Sequence, residues 1–199
     1  MSSLAIRDVG YDHSDAQLLI AEVQQEYVRR YGGPDDSPVD PRQFSAPDGT
    51  FAVGYLDSEP VAMGGWRRHG DDHPETAWAQ PVVEVKRMYV ADAARGRGFA
   101  RAMLAHLEES ARRAGARWLL LETGQRQPEA VQLYRSCGYQ PVPPFGHYAD
   151  AELSIHLGKK LVDSATDEAR PDISRPCDTQ SRSVGSESGS VGSESHLRA

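Results

Sequence analysis

A strand-like segment that runs into an arginine- and glycine-rich loop constrains the fold more than any other part of this 199-residue chain. Residues 82–90 read VVEVKRMYV, and residues 95–101 read RGRGFAR ahead of an apolar stripe with helical spacing. A strand, a turn and a helix N-terminus in this order bring free backbone N–H groups and fixed positive charge to one place. Such a place favours an anion, for example a pyrophosphate.

Two other phosphate-binding loops do not fit these residues. Gly96 and Gly98 match the first two glycines of the dinucleotide fingerprint, but Arg101 occupies the place of the third. A P-loop needs Gly-Lys-Ser/Thr after its glycines, and none follows here. Taken alone, the loop is equally compatible with a solvated turn, so its interpretation depends on the segments around it.

Periodicity along the chain predicts the element order strand, helix, loop, hairpin, strand, loop and helix, strand, helix, strand. Ser14 and Gln17 have the spacing of a capping box at the start of the first helix, and Gly32 follows its end. The other predicted elements are a strand at 4–6, a short helix near 41–44, a hairpin at 50–56 and 60–66, strands at 82–90, 118–121 and 151–161, and helices at 100–111 and 128–137.

The last 38 residues differ in composition from the rest of the chain. Residues 162–199 are rich in serine and glycine, and SVGSES occurs at 183–188 and again at 190–195. Such a segment cannot bury enough apolar surface to offset the entropy lost on ordering. We therefore predict one domain over residues 1–161, followed by a disordered tail.

Charge and cysteine content exclude several classes of protein. The net charge of −7 argues against a nucleic-acid partner, because phosphate neutralisation needs a basic face. Cys137 and Cys177 do not form a disulfide framework, and no signal peptide or membrane span is visible, so we expect a cytoplasmic protein. The histidines and acids of residues 69–80 match no metal-ligand spacing, and we predict no metal.

Three motifs together resemble the GNAT (N-acetyltransferase) superfamily. Arg95-x-x-Gly98-x-Ala100 is similar to the acyl-CoA loop of that family, Gln/Arg-x-x-Gly-x-Gly/Ala. The other two motifs are LET at residues 121–123 and AVQLYRSCGY at residues 130–139. The resemblance covers residues 4–161, with one departure: Gln127 stands where the family often has an asparagine that helps to hold CoA.

The resemblance implies an α/β (α+β) fold with a mixed, mostly antiparallel sheet of six or seven strands and about four helices. It implies an acetyl-CoA-dependent N-acetyltransferase that moves the acetyl group directly to a primary amine in a ternary complex. The alternative is a non-catalytic acyl-CoA-binding module, which would bind CoA without turnover. A small-molecule or peptide amine is the expected acceptor, and a homodimer stays open.

The same resemblance implies where acetyl-CoA binds. Backbone N–H groups near residues 88–90, freed where two central strands splay apart, would polarise the thioester carbonyl. The expected cofactor-binding residues are Met88, Tyr89, Val90, Arg95, Gly96, Arg97, Gly98, Phe99, Ala100, Arg101, Gln127 and Tyr134.

Three residues are candidates for catalysis. The resemblance implies that Tyr134 protonates the departing CoA thiolate, although a tyrosine there can also be a core residue. Glu84, on the central strand, is the preferred general base and would act through a water; its alternative is an ion pair with a neighbouring cation. Glu122 is the second candidate, because an acid among leucines has a raised pKa unless it is paired.

The sequence says least about the amine. Acidic residues in the irregular loops favour a cationic acceptor, but charged loops are commonly just solvated. The residues concerned are Asp35, Asp36, Asp71, Asp72 and Glu75.

Overall fold

Strands that alternate with three α-helices build a single seven-stranded sheet in the computed structural model, which describes residues 3–69 and 81–161. The strands are β1 (Ala5–Val9), β2 (Gly49–Leu56), β3 (Glu59–Arg68), β4 (Val82–Val90), β5 (Trp118–Gly124), β6 (Gln140–Pro141) and β7 (Ser154–Lys160). The helices are α1 (Ser14–Tyr31), α2 (Phe99–Arg113) and α3 (Pro128–Ser136), with 3₁₀ turns at Pro41–Phe44 and Asp92–Ala94.

The sheet is antiparallel except at its centre. Its strand order is β1-β2-β3-β4-β5-β7-β6, and β4 and β5 are the parallel pair. Their register covers only three positions, from Val82 opposite Trp118 to Glu84 opposite Leu120. Because β4 continues to Val90 and β5 to Gly124, the two strands separate for the rest of their length.

A bulge bends β4 just beyond this short pairing. Lys86 lies opposite Gly65 and Tyr89 lies opposite Met63, so two residues of β4 face one residue of β3. Arg87, inside the bulge, has a φ of 57°, which is uncommon for a large side chain. Bulges redirect side chains and often lie next to active sites.

Apolar helix faces cover both sides of the sheet. On one side, Met103 and Leu107 of α2 pack with Val85 of β4 in the largest apolar cluster. On the other side, Leu19 and Val23 of α1 pack in a second cluster with aromatic residues of β2 and the first 3₁₀ turn. This arrangement agrees with the helical spacing of the apolar residues in the sequence.

The structure confirms the predicted fold class and differs in three details. It has three α-helices within the described residues instead of about four, since the short helix predicted near 41–44 is a 3₁₀ turn. The N-cap of α1 is His13, whose Nδ1 accepts a hydrogen bond from Asp15 N, so the capping box of Ser14 and Gln17 is wrong. The two-residue strand β6 was not predicted. Residues 162–199, predicted as a disordered tail, lie outside the described residues.

Within residues 3–69 and 81–161, no helix is both long and apolar enough to cross a membrane.

Replacing Gly65 with alanine should destabilise the sheet. A Cβ at this position would lie 2.5 Å from Phe51 Cδ2 and 2.7 Å from the carbonyl oxygen of Thr50, which cannot move without shifting β2. We expect the free energy of unfolding, measured with urea, to fall by about 1–3 kcal/mol. Gly33→Ala is the control, since no atom lies within 4 Å of the added methyl, and its effect should stay below about 1 kcal/mol. Equal effects of both substitutions would contradict the packing argument.

Candidate active site

A groove of about 380 Å³ lies where β4, the glycine-rich loop and α3 meet. All of the predicted cofactor-binding residues except Arg97 line it. The lining also includes Val23, Glu26, Ala94, Glu129, Ala130 and Leu133, which sequence reasoning did not find. We call this space the cofactor groove.

Left-handed glycines shape the floor of the cofactor groove. Gly96 has a φ of 75° and Gly98 a φ of 82°, and α2 begins at the next residue, Phe99. A Cβ built on Gly98 would meet no protein atom within 4 Å, so the backbone there faces open space. A helix N-terminus without side chains in front of it can be approached closely by a phosphate.

The three arginines of the loop differ in their surroundings. Arg95 donates from Nε to the carbonyl oxygen of Val90 at 2.9 Å and forms ion pairs with Glu26 and Asp92. Arg101 donates from Nη2 to Ser136 Oγ at 2.7 Å, which joins α2 to the end of α3. Arg97 stacks on the ring of Phe99. Arg95 therefore orders the loop, whereas no ion pair among the described residues neutralises Arg97 or Arg101.

The separation of β4 from β5 exposes backbone at one end of the groove. Met88, Tyr89 and Val90 line the groove, and none of them has a register partner on β5. The backbone groups near Met88 that face β5 are therefore available to a ligand, whereas the carbonyl oxygen of Val90 accepts the hydrogen bond from Arg95 Nε. This arrangement matches the splayed strands expected from the sequence resemblance.

A second cavity of about 500 Å³ lies beside the first and shares Gln127 with it. We call it the acceptor cavity. Its lining comprises Tyr27, Tyr31, Gly33, Pro34, Asp35, Asp36, Glu122, Thr123, Gly124, Gln127, Tyr148, Ala151, Glu152, Leu153 and Ser154.

The structure places Glu84 in a buried ion-pair network outside both cavities. Its side chain is 2% exposed, and its carboxylate lies 2.7 Å from Lys86 Nζ and 3.2 Å from Arg67 Nη2. Burial opposes ionisation, but the hydrogen bond from His69 and the positive charges of Lys86 and Arg67 outweigh it and lower the pKa of Glu84 to about 2. So weak a base takes up protons poorly at neutral pH.

Glu122 lines the acceptor cavity and has the opposite electrostatic character. Burial raises the pKa of Glu122, and the nearby charge of Glu84 adds to this effect. The hydrogen bond from Ser154 Oγ, at 2.8 Å, and the charge of Lys86 work against it. A carboxylate with a raised pKa beside a cavity is suited to accept a proton.

Tyr134 lies in the cofactor groove with 7% of its surface exposed. Burial raises the pKa of Tyr134, and the charge of Glu122 raises it further, so the phenol keeps its proton at neutral pH. Tyr27 of α1 lines the acceptor cavity together with Glu122, and burial raises the pKa of Tyr27.

Sequence reasoning missed two residues that stabilise the wall of the acceptor cavity, Arg87 and Tyr148. Arg87, in the β4 bulge, is 7% exposed and forms an ion pair with Asp35 in the loop after α1. The hydroxyl of Tyr148 lies 2.8 Å from Asp35 Oδ1 and 2.9 Å from Asp36 Oδ1. No local motif marks Arg87 or Tyr148, because both act through contacts distant in sequence.

Among the residues that the structure describes, no group of three or more His, Cys, Asp or Glu side chains could hold a metal ion. Asp71, Asp72 and Glu75 lie outside the described residues.

Comparison with known proteins identifies the family. The sequence profile of the Acetyltransferase (GNAT) family matches residues 20–139. The match covers more than half of the chain and includes the bulged strand, the glycine-rich loop and Tyr134. This protein therefore belongs to the GNAT acetyltransferase family.

The similar proteins are acetyltransferases, matched over part of their length. The IAA acetyltransferase of Azospirillum brasilense is 45% identical over 78 residues, which are 39% of this chain and 51% of that protein. The uncharacterized N-acetyltransferase YsnE of Bacillus subtilis is 35% identical over 80 residues, 39% of this chain and 53% of that protein. The chain thus spans about half the length of the curated relatives it matches.

Solved structures show the same fold. A Klebsiella pneumoniae protein assigned as an acyl-CoA N-acyltransferase is 26% identical, with a TM-score of 0.61, over 80% of this chain and 98% of that one. The acetyltransferase yncA of Salmonella typhimurium, solved with its cofactor acetyl-CoA, is 20% identical, with a TM-score of 0.58. That match covers 85% of this chain and 100% of yncA, and at this identity it shows the fold alone.

Gly98→Val should weaken acetyl-CoA binding by about 10-fold or more, because the side chain would fill space that the phosphates need. Gly115→Val is a matched control: Gly115 has a φ of 81°, meets no atom within 4 Å of an added Cβ, and lines neither cavity. Both variants carry the same backbone strain, so the comparison isolates the ligand effect. Calorimetric titration measures both, and equal affinities would contradict the loop assignment.

Proposed function

We propose that this protein is an acetyl-CoA-dependent N-acetyltransferase that acetylates a primary amine by direct transfer in a ternary complex. The observation that carries the proposal is the meeting of two cavities at Gln127, with Tyr134 in one and Glu122 in the other. Two substrates can bind at once in such a site, with an acid and a base on opposite sides of the reacting atoms.

The cofactor groove supplies binding groups for acetyl-CoA. The N–H groups of residues 96–100 face the pyrophosphate, with Arg97 and Arg101 providing positive charge nearby. Gln127, where the family often has asparagine, lines both cavities and donates its amide to the pantetheine side. The N–H groups near residues 88–90 stabilise the thioester oxygen as negative charge develops on it.

The reaction then follows from the positions of two side chains. Glu122 takes a proton from the acceptor ammonium, and the neutral nitrogen attacks the thioester carbonyl carbon. The C–N bond forms, the C–S bond breaks, and Tyr134 gives its proton to the departing thiolate. The attacking nitrogen then loses its second proton, which restores the phenol of Tyr134, and the proton held by Glu122 passes to solvent. The opposed pKa shifts support this choice over Glu84: Glu122 holds a raised pKa beside the cavity, and Glu84 a depressed one within an ion-pair network.

A non-catalytic acyl-CoA-binding module is the alternative function. It predicts acetyl-CoA binding without release of thiol for any amine. The separate acceptor cavity favours the enzyme, because a CoA sensor does not need a second site next to the thioester. Thiol release from acetyl-CoA, measured over a panel of primary amines, distinguishes the two.

Glu122→Gln should lower kcat/KM by about 10²–10⁴ at neutral pH, because the base is lost. The defect should shrink as the pH approaches the pKa of the amine, since a neutral amine needs no base. In the parent enzyme, activity should fall on the acid side as Glu122 is protonated, at a pH above the ordinary glutamate pKa. A pH–rate profile with one good acceptor measures these effects.

Glu84→Gln is the matched control for that profile. It should keep most of the activity and move the acidic limb to lower pH, because one negative charge that raises the pKa of Glu122 is removed and Lys86 is freed to lower it. It should also lose stability, by about 3–5 kcal/mol if Arg67 and Lys86 are left buried without a partner. A lost acidic limb in Glu84→Gln, with an intact limb in Glu122→Gln, would reverse the two roles.

Tyr134→Phe should lower kcat by about 10²-fold or more while the dissociation constant for acetyl-CoA stays near that of the parent. The defect should lessen with acyl donors whose thiol has a lower pKa, because such a thiolate leaves without a proton. Tyr139→Phe is the control: its ring packs edge-on against Tyr134 at 5.7 Å between centroids, but it lines neither cavity. Equal losses in both variants would indicate a packing role for Tyr134.

A further inference from the structure

We propose that the acceptor is a small dibasic amine, which reacts at one end and is recognised by its second positive charge at the other. This inference rests on the proposed function and adds the substrate class. It comes from the acceptor cavity, whose inner and outer ends both carry acidic groups. A volume of about 500 Å³ lies within the range of small-molecule sites.

The inner end of the acceptor cavity is the reacting end. Glu122 is partly buried there, and Gln127 of the same lining also lines the cofactor groove. An alkylamine, with a pKa near that of lysine (about 10.4), arrives as a cation at neutral pH. The carboxylate of Glu122 therefore attracts the ammonium before it takes the proton.

The outer rim of the same cavity carries two more carboxylates. Asp36 and Glu152 both line the cavity and are both exposed. The Tyr148 and His147 hydrogen bonds lower the pKa of Asp36, so it is ionised at neutral pH. Glu152 has no ion pair among the described residues, and its charge is therefore available to a ligand. A cation at the rim would gain from both.

Asp35, which precedes Asp36 in the loop after α1, does not add to this negative charge. Asp35 forms an ion pair with Arg87, whose side chain is 5% exposed, and accepts a hydrogen bond from Tyr148. Its role is to fix the loop that carries Asp36 against β4. The described lining contains no lysine, arginine or histidine, so the charged side chains left in it after this pair is counted are all acidic: Asp36, Glu122 and Glu152.

Three tyrosines also line the acceptor cavity. Tyr27 and Tyr31 come from α1, and Tyr148 comes from the segment before β7. Aromatic faces attract cations and also cover the methylene chain between two amines. The guanidinium of Arg126 lies 5.9 Å from the ring centroid of Tyr31 and competes with a ligand cation for that ring, so Tyr27 and Tyr148 are the rings that such a cation would use. The walls thus suit an alkyl chain with a charged end.

A matched set of three acceptors tests the inference. 1,5-Diaminopentane, pentylamine and 5-aminopentanoate present the same reacting amine on similar chains, with a positive, neutral or negative far end. We expect kcat/KM to fall in that order, by about 10-fold between the first two after correction for the two equivalent amines of the diamine. This ratio should decrease as salt is added, because the rim carboxylates are exposed.

Variants at the rim test which residues bind the second positive charge of the diamine. Glu152→Gln should lower the diamine-to-pentylamine ratio several-fold, and Glu152→Lys should reverse the preference between the diamine and 5-aminopentanoate. Glu59→Gln is the control, since Glu59 is also exposed but lines neither cavity. It should leave the ratio as in the parent.

The outcomes separate this inference from the proposed function. Similar kcat/KM values for the three acceptors, or an unchanged ratio in both Glu152 variants, would overturn the dibasic acceptor and leave the acetyltransferase proposal standing. If the parent enzyme prefers 5-aminopentanoate, the dibasic acceptor is likewise overturned and the acetyltransferase proposal still stands. Acetyl-CoA binding without thiol release for any primary amine, these three included, would overturn the proposed function and this inference with it.

Discussion

The short parallel pairing of β4 with β5 is the constraint on which the rest of the site depends. Only residues 82–84 and 118–120 are in register, and beyond them the strands diverge. A longer β4–β5 pairing would engage backbone N–H groups near residues 88–90 in hydrogen bonds between the strands and close the space between the cavities. The bulge at Arg87 supports the divergence, because it bends β4 away and sends a buried guanidinium to Asp35.

The placement of charges on one face of the sheet gives the carboxylates of Glu84 and Glu122 opposite pKa shifts. Glu84 and Leu120 are in register, so Glu122, two residues further along β5, lies on the same face as Glu84 and Lys86. Lys86 is held by Glu84 at 2.7 Å, which limits how far it lowers the pKa of Glu122. Glu84 therefore holds the cation that would otherwise stabilise ionised Glu122 more strongly.

Much of the fold and of the cofactor groove could be predicted from the sequence, because both depend on local patterns. Apolar periodicity marks α2, and Gly96 and Gly98 mark a loop that needs a positive φ. The N-cap His13 and the strand β6 were missed, since a histidine is an unusual cap and two residues give no periodicity.

The acceptor cavity could not be predicted in the same way, since its parts come together only in the folded chain. The Arg87–Asp35 ion pair joins residues 52 positions apart, and the Tyr148 hydrogen bond to Asp35 spans 113. The sequence shows an acidic loop but not that Arg87 neutralises one of its carboxylates and leaves Asp36 exposed. Tertiary pairing thus decides which acids of the acceptor cavity stay exposed and unpaired by arginine.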